Sequence, residues 1–151
     1  MRAFLPLLPF LGLVAGAAFF GATFQPGAWY EGLRKPPGNP PNWVFGPVWT
    51  VLYVAIAVAA FRVWRVQPGP SVALGLWAVQ LALNALWSWL FFGLERAGLA
   101  LIDIVGLLAL LAATTVAFFG VDRTAGWLFL PYVTWVAYAT YLNAGLWLLN
   151  R

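Results

Sequence analysis

The sequence predicts an all-α membrane protein, built as a bundle of five transmembrane helices with a long proline-rich first loop. Of its 151 residues, 64% are hydrophobic and 8% are charged, against roughly 25% charged residues in a soluble domain. The apolar residues fall into five runs, each near the roughly 20 residues that a helix needs to cross a bilayer. Polar and apolar residues do not alternate along these runs, which argues against a β-barrel.

The first apolar run, "FLPLLPFLGLVAGAAFFGATF", follows Arg2 and resembles a signal peptide, but it is too long for one. We therefore interpret it as a retained helix. Within it, Gly12 and Gly16 form a GxxxG motif, which favours packing inside the bundle over a dimer contact. Short connections after the second run predict antiparallel neighbours. The single domain, 1–151, has its predicted helices at 4–25, 43–66, 71–93, 98–121 and 125–148.

Charge does not orient the bundle in the membrane. We name the membrane face with the N-terminus side A and the face with the C-terminus side B. Side A carries Arg2, Arg62, Arg65 and Arg123, and side B carries Arg34, Lys35, Arg96 and Arg151. This tie leaves the positive-inside rule undecided. Arginine outnumbers lysine seven to one, which favours a bacterial source for this integral membrane protein, in either the inner or the outer membrane.

Several function classes lack the residues they need. The chain has no cysteine and no histidine, so we expect no metal site, no catalytic constellation and no obligatory cofactor. No run of basic residues indicates nucleic-acid binding. Asp103 is the one ionisable residue well inside a predicted span. It fits either a proton path or a hydrogen bond to a neighbouring helix, and the second interpretation is favoured.

The first loop, residues 26–42, contains the stretch "KPPGNPPN". Its prolines fix φ and lack an N–H group, which excludes helix and strand there. A stiff coil suits a lid over the bundle as well as it suits a plain connector. Asn42 is expected to cap the second helix.

Three stripes of side chains lie at similar depths, between mid-membrane and side B. Because amides are costly in lipid, the stripe that carries them should face the bundle interior. If the other two also point inward, all three surround one space beneath the first loop. The stripes are Trp49 with Tyr53, Gln80 with Asn84 and Trp87, and Trp135 with Ala139 and Asn143.

The stretches "WYEGLRKPPGNPPNWVFGPVWTVLY", "QLALNALWSWLFFG" and "PYVTWVAYATYLN" resemble the TspO/MBR family, which comprises the tryptophan-rich sensory proteins and the translocator proteins, or peripheral benzodiazepine receptors. The resemblance implies a homodimer in the lipid bilayer with a ligand pocket beneath the first loop. It implies a pocket formed by Tyr30, Trp49, Tyr53, Asn84, Trp87, Trp135 and Ala139, to which the third stripe adds Asn143. The predicted lid residues are Arg34, Lys35, Pro40 and Pro41.

The resemblance implies a membrane receptor or sensor for porphyrin or haem, and for sterol or benzodiazepine-type ligands, that regulates tetrapyrrole or stress responses. A porphyrin or sterol transporter and a light-dependent porphyrin-degrading enzyme are the alternatives. Without His or Cys to ligate iron, we expect recognition of the ring. Arg34 and Lys35 are expected to meet its carboxylates. The C-terminal sterol pattern is not met, because Tyr141 lies ten residues before Arg151.

Overall fold

The structure is a computed structural model that describes residues 2–151. Its regular structure is helical throughout these residues, which confirms the all-α part of the predicted fold class. The helices are a 3₁₀ turn at Arg2–Phe4, α1 at Leu7–Ala22, α2 at Ala28–Gly32, α3 at Asn42–Val66, α4 at Val72–Ser88, α5 at Ala97–Val121 and α6 at Arg123–Asn150. Beyond Ser88, helix α4 continues as a π-helix, Trp89–Gly93.

Three helices are long and apolar enough to cross a bilayer. These are α3 with 25 residues, α4 with its π-helix, 22 residues together, and α5 with 25 residues. Helix α1 is apolar but has only 16 residues. Helix α6 is the longest, with 28 residues, and includes tyrosine, threonine and asparagine side chains. Length and composition therefore mark an integral membrane protein.

The five long helices form a closed ring. Helix α1 packs against α3 and α4, α3 also packs against α6, and α5 packs against both α6 and α4. The buried residues are not evenly distributed between the two membrane sides. In α3, every buried residue lies from Leu52 onward, and in α4 the last buried residue is Asn84. The bundle is consequently solid towards side A and hollow towards side B.

Polar side chains cap two of the helices. Ser71 Oγ accepts from the N–H of Leu74 at 3.2 Å, and Asp122 Oδ2 accepts from that of Ala125 at 3.2 Å. The predicted cap at Asn42 is wrong. Helix α3 already includes Asn42, and Pro41 takes the capping position. No side-chain bond caps this helix within residues 2–151.

The GxxxG motif of α1 does not pack inside the bundle, contrary to expectation. A Cβ atom built on either Gly12 or Gly16 meets nothing within 4 Å in the described residues. Both glycines are exposed on the outer side of the ring. Val14, between them, is the buried residue of α1. The helix therefore faces the core with Val14 and with apolar side chains such as Phe10 and Leu11 rather than with this pair of glycines.

Candidate functional site

The hollow half of the ring encloses a cavity of about 620 Å³. This volume lies in the range of about 300–1,000 Å³ that is typical of small-molecule sites. Helices α1, α3, α4, α5 and α6 all contribute to its wall, together with the first loop. All eight residues of the predicted pocket line it: Tyr30, Trp49, Tyr53, Asn84, Trp87, Trp135, Ala139 and Asn143.

Ten of the residues that line the cavity are aromatic. The rings of Trp49 and Tyr53, one turn apart on α3, have centroids 5.3 Å apart. Trp87 stacks on Phe91 at 5.0 Å with an interplanar angle of 19°. Trp135 meets the ring of Phe45 edge-on at 6.1 Å, which joins α6 to α3. Such faces suit a flat, apolar ligand through offset stacking.

A chain of hydrogen bonds crosses the bundle beside the cavity. Tyr53 Oη donates to Asn84 Oδ1 at 2.8 Å, and Asn84 Nδ2 donates to Tyr132 Oη at 2.6 Å. Tyr132 Oη in turn donates to Gln80 Oε1 at 2.8 Å. Tyr132 is fully buried and does not line the cavity. Sequence reasoning missed it, although it precedes Trp135 and Ala139 by three and seven residues on the same helical stripe.

The indole groups differ in their hydrogen bonding. Trp87 Nε1 donates to Asn143 Oδ1 at 2.9 Å, and Asn143 Nδ2 donates to the carbonyl of Ala97 at 2.9 Å. These bonds tie α4, α5 and α6 together, so Asn143 serves the scaffold as well as the cavity wall. The indole N–H groups of Trp49 and Trp135 form no hydrogen bond within residues 2–151. Trp43 also lines the cavity, and its indole N–H group likewise forms no hydrogen bond in the described residues. A ligand could therefore use three indole donors.

Tyr30 and Asn39, which lie between α1 and α3, both line the cavity. Tyr30 belongs to the short helix α2, which sequence reasoning did not predict, and is 4% exposed. Its ring packs edge-on against Phe91 and Phe92 of the π-helix. Asn39 Nδ2 donates to Tyr30 Oη at 3.2 Å, while Asn39 Oδ1 is buried without a partner in the described residues.

The four predicted lid residues, Arg34, Lys35, Pro40 and Pro41, do not line the cavity. The Lys35 ammonium group donates to the carbonyls of Tyr30 and Leu33, at 2.9 and 3.2 Å. The ammonium group thereby interacts with the partial negative charge of the carbonyls at the end of α2, as cations do at helix C-termini. No charged residue lines the cavity within residues 2–151, so its polarity comes from neutral groups.

Helix α6 holds the proline-rich part of the first loop from outside. Tyr138 Oη donates to the carbonyl of Gly38, and Tyr141 Oη donates to that of Pro37 at 2.8 Å. The Asn150 side chain exchanges two hydrogen bonds of 2.9 Å with the main chain of Arg34. Pro36 is buried against Gly145, where a Cβ atom would lie only 2.6 Å from the proline ring. The loop is therefore docked along three turns of α6.

Asp103 does not form the hydrogen bond that was expected of it. It lies half-buried on α5, and its Oδ2 atom is buried without a hydrogen-bond partner in residues 2–151. Ile104, the next residue, lines the cavity. Residues 2–151 contain no group of three or more His, Cys, Asp or Glu side chains that could bind a metal ion.

Comparison with known proteins identifies the family. The model of the TspO/MBR family matches residues 7–148. Protein CrtK of Rhodobacter capsulatus is 44% identical over 139 residues, covering 90% of this chain and 86% of that protein. The tryptophan-rich sensory protein of Cereibacter sphaeroides is 44% identical over 136 residues, covering 90% and 85%. The translocator protein of Homo sapiens is 40% identical over 152 residues, covering 94% and 90%. The chain belongs to the TspO/MBR family.

Proposed function

We propose that this protein is a membrane receptor that binds porphyrins, either protoporphyrin or haem, in the cavity and so regulates tetrapyrrole or stress responses. The observation that carries the proposal is the wall itself, in which Trp49, Trp87 and Trp135 surround an uncharged space of about 620 Å³. A porphyrin ring is flat and aromatic, and such rings stack well on indole faces. Two relatives bear the names tryptophan-rich sensory protein and translocator protein, which agree with a role in sensing or handling a ligand.

The receptor spans the membrane with all five long helices in this proposal. The three apolar helices form part of the ring, and α1 and α6 complete it. All five helices therefore lie in the same bilayer. Helix α6 is long enough to cross it. Helix α1 covers roughly 24 Å by its rise per residue, and the turn at Arg2–Phe4 lengthens it.

The ligand is held by its ring and not by its metal or its charge. The chain has no His or Cys to bind haem iron, and the basic residues of the first loop lie away from the cavity. The carboxylates of a porphyrin would meet neutral donors at the side-B end, where Gln25, Asn39 and Asn42 line the cavity. Sterols and benzodiazepine-type ligands, which are also largely apolar, would use the same uncharged wall.

A titration with protoporphyrin tests the proposal. We expect Trp49→Phe and Trp135→Phe to weaken binding, because each change removes stacking area and an unpaired indole N–H group. Trp64→Phe is the matched control, since Trp64 lies at the side-A end of α3 and does not line the cavity. Porphyrin absorbance is the readout, because it does not depend on how many tryptophans remain. Equal losses in all three variants would remove the assignment of the cavity as the binding site.

Transport is a second candidate function. It is favoured by the buried Oδ2 atom of Asp103, which has no hydrogen-bond partner in the described residues and lies next to the cavity-lining Ile104. Acids inside membrane proteins often mark ion or proton paths. Porphyrin flux into sealed vesicles separates the two candidates. A transporter would move porphyrin across the bilayer and lose flux on Asp103→Asn, whereas a receptor would bind porphyrin without net flux.

We also propose that the protein is a homodimer, as the family resemblance implies. The exposed Gly12 and Gly16 on the outer side of α1 support the proposal, because small residues let helices of two subunits approach closely. We expect light scattering, corrected for detergent, to return the mass of two chains. A monomer mass across a range of protein concentrations would contradict this expectation.

A further inference from the structure

Helices α1 and α3 separate towards side B. One edge of α3, which turns away from α6 towards α1, carries Gly46, Thr50, Ala57 and Phe61 at helical spacing. Ala57 and Phe61, in the side-A half, are 0% and 4% exposed. Gly46 and Thr50, in the side-B half, are exposed and line the cavity. The same edge is thus covered at one end and open at the other.

Small residues of α1 also border the cavity, namely Ala18, Gly21 and Ala22. Ala22 is exposed, whereas Gly21 faces α4, where a Cβ atom built on it would lie 3.2 Å from Ser88 Oγ. Within the described structure, no hydrogen bond or aromatic pair joins residues 18–25 to residues 42–50. The aromatic contact between the N-terminal segment and α3 lies at the opposite end, where the rings of Phe4 and Phe61 are 6.5 Å apart. A Cβ atom built on Gly46 also meets nothing within 4 Å in the described residues, so there is open space beside this edge of α3. We call this space, in the side-B half, the gap between α1 and α3.

The other boundaries of the cavity are joined by specific contacts. Trp135 meets Phe45 between α6 and α3, and Asn143 bonds to both Trp87 and the carbonyl of Ala97. Above, the first loop is bonded to α6 through Tyr138, Tyr141 and Asn150. Opening the loop would break all of these bonds to α6, whereas the gap between α1 and α3 needs no bond to break.

We infer that ligands enter and leave the cavity sideways from the lipid, through the gap between the side-B halves of α1 and α3, while the first loop stays docked. This inference rests on the proposed function. It defines the ligand as a molecule dissolved in the bilayer whose apolar part slides between small, uncharged residues. Because the gap reaches the side-B ends of both helices, a charged end can remain in the headgroup layer during entry.

Engineered cross-links test this route, because the chain has no cysteine of its own. The pair Ala22→Cys and Gly46→Cys, bridged by a short bis-maleimide, closes the gap. The pair Pro37→Cys and Tyr141→Cys, bridged in the same way, locks the first loop to α6. The readout is the rate of protoporphyrin binding and release, followed by stopped-flow fluorescence in lipid nanodiscs. Each pair is compared with its own protein before bridging.

We expect closure of the gap to slow both binding and release by about tenfold or more, with an equilibrium Kd that changes much less, since closing a route is a kinetic effect. Locking the loop should leave both rates unchanged. Slower exchange with the locked loop, alone or together with the closed gap, would overturn the inference. Unchanged rates with both bridges would overturn it as well.

The test separates this inference from the proposed function. If neither unbridged protein binds protoporphyrin at equilibrium while the unmodified chain also fails to bind, the proposed function fails. If the unbridged proteins bind and the closed gap does not slow exchange, only the route fails. Gly106→Cys, carrying the same reagent on one thiol, controls for modification, because Gly106 is exposed on α5 and has no neighbour within 4 Å in the described residues.

Discussion

Ala139 is the smallest side chain on the α6 stripe that lines the cavity. It lies one turn beyond Trp135 and one turn before Asn143, and it is half-buried. Only a methyl group separates the backbone of α6 from the space at this height. The volume available to a rigid ligand therefore depends directly on this residue.

We expect Ala139→Leu and Ala139→Thr to change ligand selectivity more than stability. Overfilling a packed site costs roughly 1–3 kcal/mol, which corresponds to about one to two decades of affinity. A porphyrin should lose the most affinity, and a smaller, flexible ligand should lose less. Affinities for both ligands and the melting temperature are measured on the same preparations.

Ala137→Leu is the control for this change, because Ala137 is exposed on the outside of the same helix. If Ala139→Leu lowered the melting temperature and left both affinities unchanged, the stripe would be a packing seam between helices.

At the scale of a residue, the sequence could predict which side chains share the cavity wall but not how their polar atoms are used. Helical spacing and the cost of amides in lipid are enough to bring Asn84 and Asn143 inside the ring. Neither rule says that Asn143 bonds to Trp87 or that Lys35 turns towards the carbonyls of α2. Those bonds depend on how far each helix is shifted along its neighbour.

The first loop and α6 behave as one element, because the loop is docked through bonds spread along the helix. Gly145 makes this docking possible. A Cβ atom there would lie 2.6 Å from Cβ and 2.8 Å from Cγ of Pro36, so any larger residue must displace the loop.

We expect Gly145→Ala to lower the stability by roughly 1–3 kcal/mol through overpacking and to speed trypsin cleavage after the exposed Arg34. Gly106→Ala is the matched control on α5. Its Cβ meets nothing within 4 Å in the described residues, so it should gain up to about 1 kcal/mol from helix propensity. Equal melting temperatures and equal cleavage rates for the two variants would show that the loop is not held by this contact.

At the scale of an element, the sequence did not predict the two short helices, α2 and the π-helix. Helix α2 has only five residues, too few to show a helical period. The π-helix at Trp89–Gly93 reads as a continuation of α4, because hydropathy does not reveal one wider turn. Together these two pieces form the contact between Tyr30 and Phe91 that closes the side-B end of the cavity.

At the scale of the whole molecule, an ion pair on side A joins α3 to the residue that precedes α6. Arg62 Nε donates to Asp122 Oδ2 at 2.6 Å. The hydrogen bond from Arg62 holds the pKa of Asp122 below its ordinary value, against the opposing effect of burial. A carboxyl group whose pKa is lowered on folding stabilises the protein above its unfolded pKa, and this stabilisation is lost as the pH falls through the folded pKa.

We expect Asp122→Asn to reduce stability at neutral pH by up to about 1 kcal/mol, the usual value for a partly exposed pair. The asparagine retains a capping oxygen for α6, so the change isolates the ion pair. The difference from the unmodified protein should shrink below pH of about 4 and in high salt. Glu95→Gln, at an exposed turn on side B, is the control. Melting curves that differ by the same amount at every pH would contradict the role of the pair.

The direction of the hydrogen bonds that join α3, α4 and α6 has a chemical consequence for the ligand. From Tyr53 through Asn84 and Tyr132 to Gln80, each residue donates to the next, so the bonding hydrogens run from the cavity wall into the core. The phenol of Tyr53 has already given its only hydrogen, so it can offer a ligand nothing but a lone pair. Any group that reaches it must bring a hydrogen of its own. Of two otherwise identical ligands, the alcohol should bind at this depth more tightly than its methyl ether.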